Sequence, residues 1–460
     1  MAHHHALVIP YPAQGHVIPL MELSFFLLRK GFKVSFLNTE FNHHRILSAM
    51  ADEAKNRVQL TEEEEPESAE EIRLIAMPDG LAPGEDRNDL GRLTEALAAV
   101  MPEYLEDLLR NGDFTCVVAD LNMAWSLEMA KKAGLRTAAF WPAAATLLAA
   151  MTCIPKLIED EVIGEDGRLK RKGRIEIRPG MYPIDTAHLC WNCFADAFTR
   201  RTIFNLAVDS FRSAKSFTEI IVSNSSGELE KPVFAFAPFI SPIGPLLRSE
   251  GKKRLGHFWP QDNSCFSWLD RQPPNSVVYV AFGSFAVFNS CQYRELALGL
   301  ELAGLPFLWA VRSDSSSGGI SYPAGFLERI GDRGRTVEWA PQQRVLGHPA
   351  IACFVSHCGW NSTMEGVRNG VPFLCWPYFA DQFINERYIC DDWKIGMKLV
   401  ADDNGIISRE EISSKVKKLV GDEKITANSV ELMEKVERSI GKGGSSYENL
   451  SKFVEAMKRV

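Results

Sequence analysis

The segment WAPQQRVLGHPAIACFVSHCGWNSTMEGVRNGVPFLCWPYFADQ, from Trp339 to Gln382, leaves this chain few folds to choose from. IACFVSH is a short apolar, β-branched run, NSTMEGVRNG reads as a short helix closed by Gly370, and VPFLCWP reads as a second buried strand. Two short apolar strands on either side of a helix imply parallel pairing through a right-handed crossover. Ligands of such sheets sit beyond the carboxyl ends of the strands. At that edge the sequence places His357, Gly359, Asn361 and Ser362, where the helix begins. Unsatisfied backbone N–H groups and the helix dipole point outward there, so a phosphate is the expected ligand.

The rest of the chain bounds the fold class. A length of 460 residues exceeds one core and predicts roughly two to three domains. A net charge of −8 and a pI near 5.8 argue against a nucleic-acid partner, which would select a basic surface. No window has the length and apolarity of a membrane span, and the run ALVIP is too short for a signal peptide and reads as a first strand. Most of the ten cysteines stand singly in apolar runs, as in Cys116, Cys353 and Cys375, which suits reduced core thiols and a cytoplasmic protein. Neither His188, Cys190 and Cys193 nor Cys353, His357 and Cys358 has the second ligand pair of a structural zinc site, so no metal is expected. The His3–His5 triplet carries no part of this reading.

Strand and helix alternate along the first half. ALVIP, KVSFLNT, IRLIAMP, CVVAD and RTAAFWP read as strands, with helices over IPLMELSFFLLRK, FNHHRILSAM, LGRLTEALAAVMPEYLEDLLRN and AWSLEMAKKAG. TEEEEPESAEE is expected to be a solvated loop, and 151–218 an insertion of helices and loops, the kind of segment that shapes a variable pocket. EIIVSNS reads as the last strand of this half. PFISPIGPLLRSEGKKRLG, rich in Pro, Gly and charge, reads as a linker. Alternation restarts at SVVYVAFGS and PFLWAVR, with SSSGG as a flexible loop. The predicted architecture is α/β with two doubly wound, Rossmann-like domains. Its divisions are 1–240, a linker at 241–262, a second domain at 263–440 and a closing helix at 441–460.

Two residues at strand ends carry catalytic chemistry. His16 follows the first strand, and Asp120 ends the strand CVVAD. A carboxylate beside an imidazole sets its tautomer and stabilises the imidazolium, which is how a general base is built. The same residues could serve only as a helix-start histidine and a helix-capping aspartate.

The Trp339–Gln382 segment closely resembles the C-terminal box of plant UDP-sugar-dependent glycosyltransferases of small molecules. The resemblance rests on WAPQ, on HCGWNS with Glu365 three residues later, and on the terminal Asp381–Gln382 pair. PYPAQGHVIPL and MPDGL in the first half are similar to the subgroup that glucosylates phenolics, flavonoids and terpenoids. The resemblance implies a GT-B enzyme, with two facing Rossmann-like domains and a cleft between them, and with His16 as base and Asp120 as its support. It implies a donor site of Gly15, Ser284, Trp339, Ala340, Gln342, His357, Trp360, Asn361, Ser362, Glu365, Asp381 and Gln382. Trp339 would stack on uracil with the Ala340 backbone at the base edge, and Glu365 would hold the ribose. His357, Asn361 and Ser362 would contact the phosphates, and Trp360, Asp381 and Gln382 the sugar. A terminal Gln points to glucose, although Gln382 could instead cap the next helix. UDP-glucose is thus expected as co-substrate, with no cofactor and no metal, and a monomer is expected. Phe140, Trp141, the Met181–Phe198 insertion with Phe194, and Phe285, Phe288 and Phe379 are candidate walls for a small lipophilic acceptor. Neither G-x-G-x-x-G nor G-x-S-x-G occurs in the required context, which removes the dinucleotide-dependent oxidoreductase and the α/β-hydrolase. A non-catalytic sugar-nucleotide sensor is the non-enzyme alternative.

Overall fold

A computed structural model of the protein describes residues 4–57, 72–176, 183–247, 255–312 and 322–459. His3, the acidic run from Thr61 to Glu71, Met181, the RSEGKKR stretch and the SSSGG loop lie outside these residues. The chain divides into two compact units, Met1–Trp259 with Arg438–Val460, and Pro260–Glu437.

In the first unit the strands are β1 (His4–Ile9), β2 (Phe32–Thr39), β3 (Arg73–Met77), β4 (Cys116–Asp120), β5 (Arg136–Trp141), a small hairpin β6 (Arg174–Ile175) and β7 (Ile184–Asp185), then β8 (Ile220–Ser223) and β9 (Ile240–Pro242). Among the described residues the main sheet has seven strands in the order β3-β2-β1-β4-β5-β8-β9, all paired in parallel. β8 is therefore not the last strand. The start of the expected linker supplies β9, because Ile240 and Ile243 are buried at 2% and 1% exposure and draw the segment onto the sheet. Pro242 lacks an N–H to donate, which an edge strand tolerates.

β1 begins within the histidine triplet, so His5 belongs to the fold. Its Nδ1 lies 2.6 Å from Asp113 Oδ1 and its Nε2 lies 3.0 Å from Ser35 Oγ. Ser35 is fully buried, so this Ser–His–Asp cluster fastens the amino end of the sheet and has no reach to a substrate. Leu450, Phe453, Val454 and Met457, on the closing helix Ser445–Lys458, pack into the core of this unit.

The second unit contains β10 (Val277–Ala281), β11 (Phe307–Ala310), β12 (Gly334–Val337), β13 (Ile351–Ser356), β14 (Phe373–Cys375) and β15 (Gly396–Lys398). Their order is β12-β11-β10-β13-β14-β15, again parallel. Register matters more than strand count here. Ala281 pairs with Ser356, and Ser356 with Cys375, so three neighbouring strands end at one level. The loops FGS, HCG and WPYFADQ consequently leave the sheet side by side. Ala310 pairs with Val337, which brings Arg312 and Trp339 to the same carboxyl edge.

Candidate active site

In the first unit, the helix Gln14–Arg29 starts earlier than the apolar pattern predicts, and His16 stands in its first turn beside exposed Gly15. β1 and β4 are paired with Ile9 opposite Ala119, which sets the end of β4 against this helix start. His16 Nδ1 lies 2.7 Å from Asp120 Oδ2. Asp120 Oδ1 accepts the Asn122 N–H at 2.9 Å, so the aspartate caps the turn Leu121–Met123 with one oxygen and holds the histidine with the other. Asp120 is fully buried while the His16 side chain is 23% exposed. An Nδ1–H bound to a carboxylate leaves the lone pair on Nε2, as a base requires.

Tyr11 was missed by the sequence reasoning, although PYPAQGH contains it. Its ring centroid lies 5.3 Å from that of His16, and its hydroxyl shares a hydrogen bond of 3.0 Å with Thr94 Oγ1. Burial, opposed by the Thr94 bond and reinforced by the Asp120 charge, pushes the Tyr11 phenol up to about 12. It therefore stays neutral and walls the pair with an uncharged ring.

In the second unit, the helix Trp360–Arg368 begins at Gly359 with no side-chain cap, leaving its first N–H groups for a ligand. His357 lies between two glycines: a Cβ on Gly283 would come within 2.6 Å of its Nε2, and one on Gly359 within 2.4 Å. Only glycine permits that approach, and Gly283 also needs its φ of +66°. Burial first, then the Arg312 charge, pushes the His357 imidazole down to about 4, with the Ala281 backbone opposing. His357 is thus neutral near pH 7 and serves as a dipole rather than a cation. Arg312 was also missed; a lone arginine ending the strand PFLWAVR is the signal that could have found it. It is 5% exposed and donates to the Gly283 and Ala286 carbonyls, which shapes the loop carrying half-buried Ser284.

Trp339 lies beyond β12, not within it. Its ring is half-buried, and its carbonyl accepts the Asp262 N–H at 2.8 Å; Ala340 beside it is 4% exposed. Gln342 joins three neighbours: its Nε2 donates to Glu365 Oε2 at 2.6 Å and Ser362 Oγ at 2.8 Å, and its Oε1 accepts from the fully buried Tyr279 hydroxyl at 3.2 Å. Ser362 Oγ, used as an acceptor, keeps its own O–H to donate. Asn361 stands half-buried at the second helical position.

Several expectations require correction. The Trp360 side chain is 3% exposed and packs toward Trp393 at 6.4 Å, so only its backbone N–H belongs to the helix-start site. Gln382 is 5% exposed, and its Oε1 accepts the Tyr378 and Phe379 N–H groups at 2.7 and 3.0 Å. Its acceptor is spent on the loop, so only its amide N–H groups can serve a ligand. Phe140 is fully buried in the first unit's core and is not a pocket wall; Trp141 is 4% exposed, with Nε1 donating to Ala144 O at 2.8 Å. Phe288 likewise packs against Phe282 and Trp376. Phe285 and Phe379 remain half-buried and adjacent, with ring centroids 5.6 Å apart, and Phe194 is half-buried in the first unit. Among the described residues no helix is long and apolar enough to cross a membrane.

Comparison with known proteins identifies the family and the fold. Residues 252–436 match the family profile described as UDP-glucoronosyl and UDP-glucosyl transferase. The chain is 42% identical to UDP-glycosyltransferase 83A1 of Arabidopsis thaliana, over 100% of this chain and 97% of that protein. It is 35% identical to 7-deoxyloganetin glucosyltransferase of Gardenia jasminoides, over 99% and 98%. Its fold is similar to that of Phytolacca americana UGT2, solved with UDP-2-fluoroglucose and pterostilbene (TM-score 0.78, 26% identity, 99% of each chain covered). It is similar also to a UDP-glucosyltransferase from Polygonum tinctorium that glucosylates indoxyl (TM-score 0.80, 25% identity, 100% of each chain covered). On its sequence, its pair of parallel α/β sheets and these relatives, the chain belongs to the plant family 1 UDP-glycosyltransferases, hexosyltransferases of the GT-B fold.

Proposed function

We propose that this enzyme is an inverting, UDP-glucose-dependent glucosyltransferase that makes β-O-glucosides of a small lipophilic plant metabolite with a phenolic, flavonoid or terpenoid hydroxyl. The observation that carries the reading is the 2.7 Å contact between His16 and buried Asp120. His16 Nε2 takes the acceptor's hydroxyl proton as the oxygen forms its bond to the anomeric carbon. The bond from that carbon to the diphosphate breaks on the opposite face, so an α-linked donor becomes a β-linked product. Asp120 balances the charge left on His16, and UDP departs with the negative charge the acceptor surrendered.

The donor end is read from the second unit. Trp339 stacks on uracil, the Ala340 backbone meets the base edge, and Glu365, oriented by Gln342, holds the ribose hydroxyls. The diphosphate is met by the open helix start at Trp360–Ser362, by neutral His357 and by Ser284, with Arg312 behind their loop. These donors offset the phosphate charge without a divalent ion. Asp381 and the Gln382 amide donor read the sugar, and Phe285 and Phe379 offer an aromatic face to the acceptor. The named glucosyltransferases among the relatives, and the stilbene bound to the Phytolacca protein, support this substrate class. A cytoplasmic monomer is the accompanying proposal. The test is UDP release from UDP-glucose with a panel of phenols and alcohols, with the product anomer assigned by NMR. An α-glucoside, or UDP release unaffected by any acceptor, refutes the reading.

A further inference from the structure

Asn385 is fully buried on the helix Gln382–Arg387, one turn beyond Asp381. Its Nδ2 donates to the Cys358 carbonyl at 2.8 Å and to Asp381 Oδ2 at 2.8 Å. Both neighbours only accept in this arrangement, so the amide nitrogen has to face them. Its Oδ1 is buried with no hydrogen-bond partner among the described residues. A buried amide with an unanswered oxygen destabilises the fold, and a leucine of similar volume would carry no such cost. The two N–H bonds are therefore what the residue contributes.

Those bonds join two parts of the donor site. Cys358 stands between His357 and Gly359 and has a φ of +63°, in the left-handed region that non-glycine residues seldom enter. Its carbonyl, also reached by Thr363 Oγ1 at 3.4 Å, is held in the turn that opens the phosphate-binding helix. Asp381 belongs to a different loop, after β14. A single carboxamide thus connects the turn to the carboxylate directly.

We propose that Asn385 is a positioning residue of the donor site, tying the Asp381 carboxylate to the phosphate turn so that the sugar is read in a position indexed to the diphosphate. The inference rests on the assignment of Asp381 to the sugar. It separates two affinities that a structural role would change together: UDP touches only the turn side of the link, whereas UDP-glucose touches both sides.

The test uses Asn385→Leu and Asn385→Asp, with dissociation constants for UDP and UDP-glucose from calorimetry and with KM and kcat for the donor. Losing a hydrogen bond to a charged partner predicts a rise in the UDP-glucose KM of about tenfold or more. UDP affinity should fall by a clearly smaller factor, because the Thr363 hydroxyl still reaches the Cys358 carbonyl on the turn side. Asn385→Asp, which sets an acceptor against the carboxylate and the carbonyl, should be the worse of the two. In a double-mutant cycle, Asn385→Leu added to Asp381→Asn should cause little further loss in UDP-glucose affinity. Should the leucine variant fail to fold, Asn385→Ser decides by the same ratio of affinities. An unchanged UDP-glucose to UDP ratio in a folded Asn385 variant, with Asp381→Asn still impaired, overturns the inference alone. An unchanged ratio in Asp381→Asn overturns the sugar assignment and the inference with it.

Discussion

Asp120→Asn tests the catalytic pair more sharply than removal of either residue. Both oxygens of Asp120 are used, Oδ1 by the Asn122 N–H and Oδ2 by His16 Nδ1. A carboxamide has one acceptor and one donor. The Asn122 N–H can only donate, so the amide oxygen must face it and the NH2 must face His16. The imidazole then carries its proton on Nε2, where it cannot accept one from a substrate. Reversing the amide to restore the tautomer sets its NH2 against a backbone donor and leaves that N–H unsatisfied, which costs about 1–3 kcal/mol. The variant also forfeits the charged hydrogen bond to the imidazolium, about 1.5–3 kcal/mol. Together these give about 2.5–6 kcal/mol, or a fall of roughly 10²- to 10⁴-fold in kcat/KM. The assay is initial velocity on an aliphatic alcohol at saturating UDP-glucose, with UDP affinity by calorimetry as the control. A phenol already ionised at the assay pH should lose much less. Retention of more than about a tenth of wild-type turnover on the alcohol, in a folded variant, would refute the pairing as the source of the base.

The other expected outcomes concern the donor site and its support. Trp339→Ala should weaken UDP binding by about 1–3 kcal/mol, the worth of base–aromatic stacking; unchanged calorimetric affinity would return the half-buried ring to a packing role. Activity should survive saturating EDTA and change less than a few-fold with magnesium, whereas abolition reversed by metal would show that the diphosphate is neutralised differently. UDP-glucose should be preferred to UDP-galactose by at least roughly tenfold in kcat/KM, since an unmet sugar contact costs about 1–3 kcal/mol. Gln382→His should lose activity selectively with glucose, though it also disturbs the Tyr378–Phe379 loop, so the measured quantity is the ratio between the two donors. Burial, with Asp391 adding and Lys398 opposing, pushes the Glu386 carboxyl up to about 7. Folding therefore favours its protonated form: this contribution is complete below its ordinary carboxyl range and is lost as pH rises toward and through 7. Tm should fall between pH 5 and 8 and Glu386→Gln should flatten that fall; an identical Tm profile in the variant would refute the assignment.

The sequence alone determined what depends on neighbours along the chain. A glycine turn before Trp360–Arg368, the short parallel strands around it and the placement of His357 and Ser362 at its start are local matters of period, capping and turn chemistry. The alternation that predicts two α/β units is local in the same sense. Tertiary structure decided whatever depends on register and burial. His16 and Asp120 are 104 residues apart, and their contact exists because β1 and β4 pair with Ile9 opposite Ala119. Arg312 reaches the Gly283 loop only because β10 and β11 lie side by side. An aromatic at a strand end reads the same whether it fills a core or lines a pocket, so Phe140 and Trp360 could be placed only by their exposures of 0% and 3%. Gln382 shows the same division at one side chain. Its type promised both a donor and an acceptor for a sugar, and the fold gave the acceptor to the Tyr378 and Phe379 N–H groups, because the oxygen of a buried amide must find its own donors and these backbone groups lie within its reach.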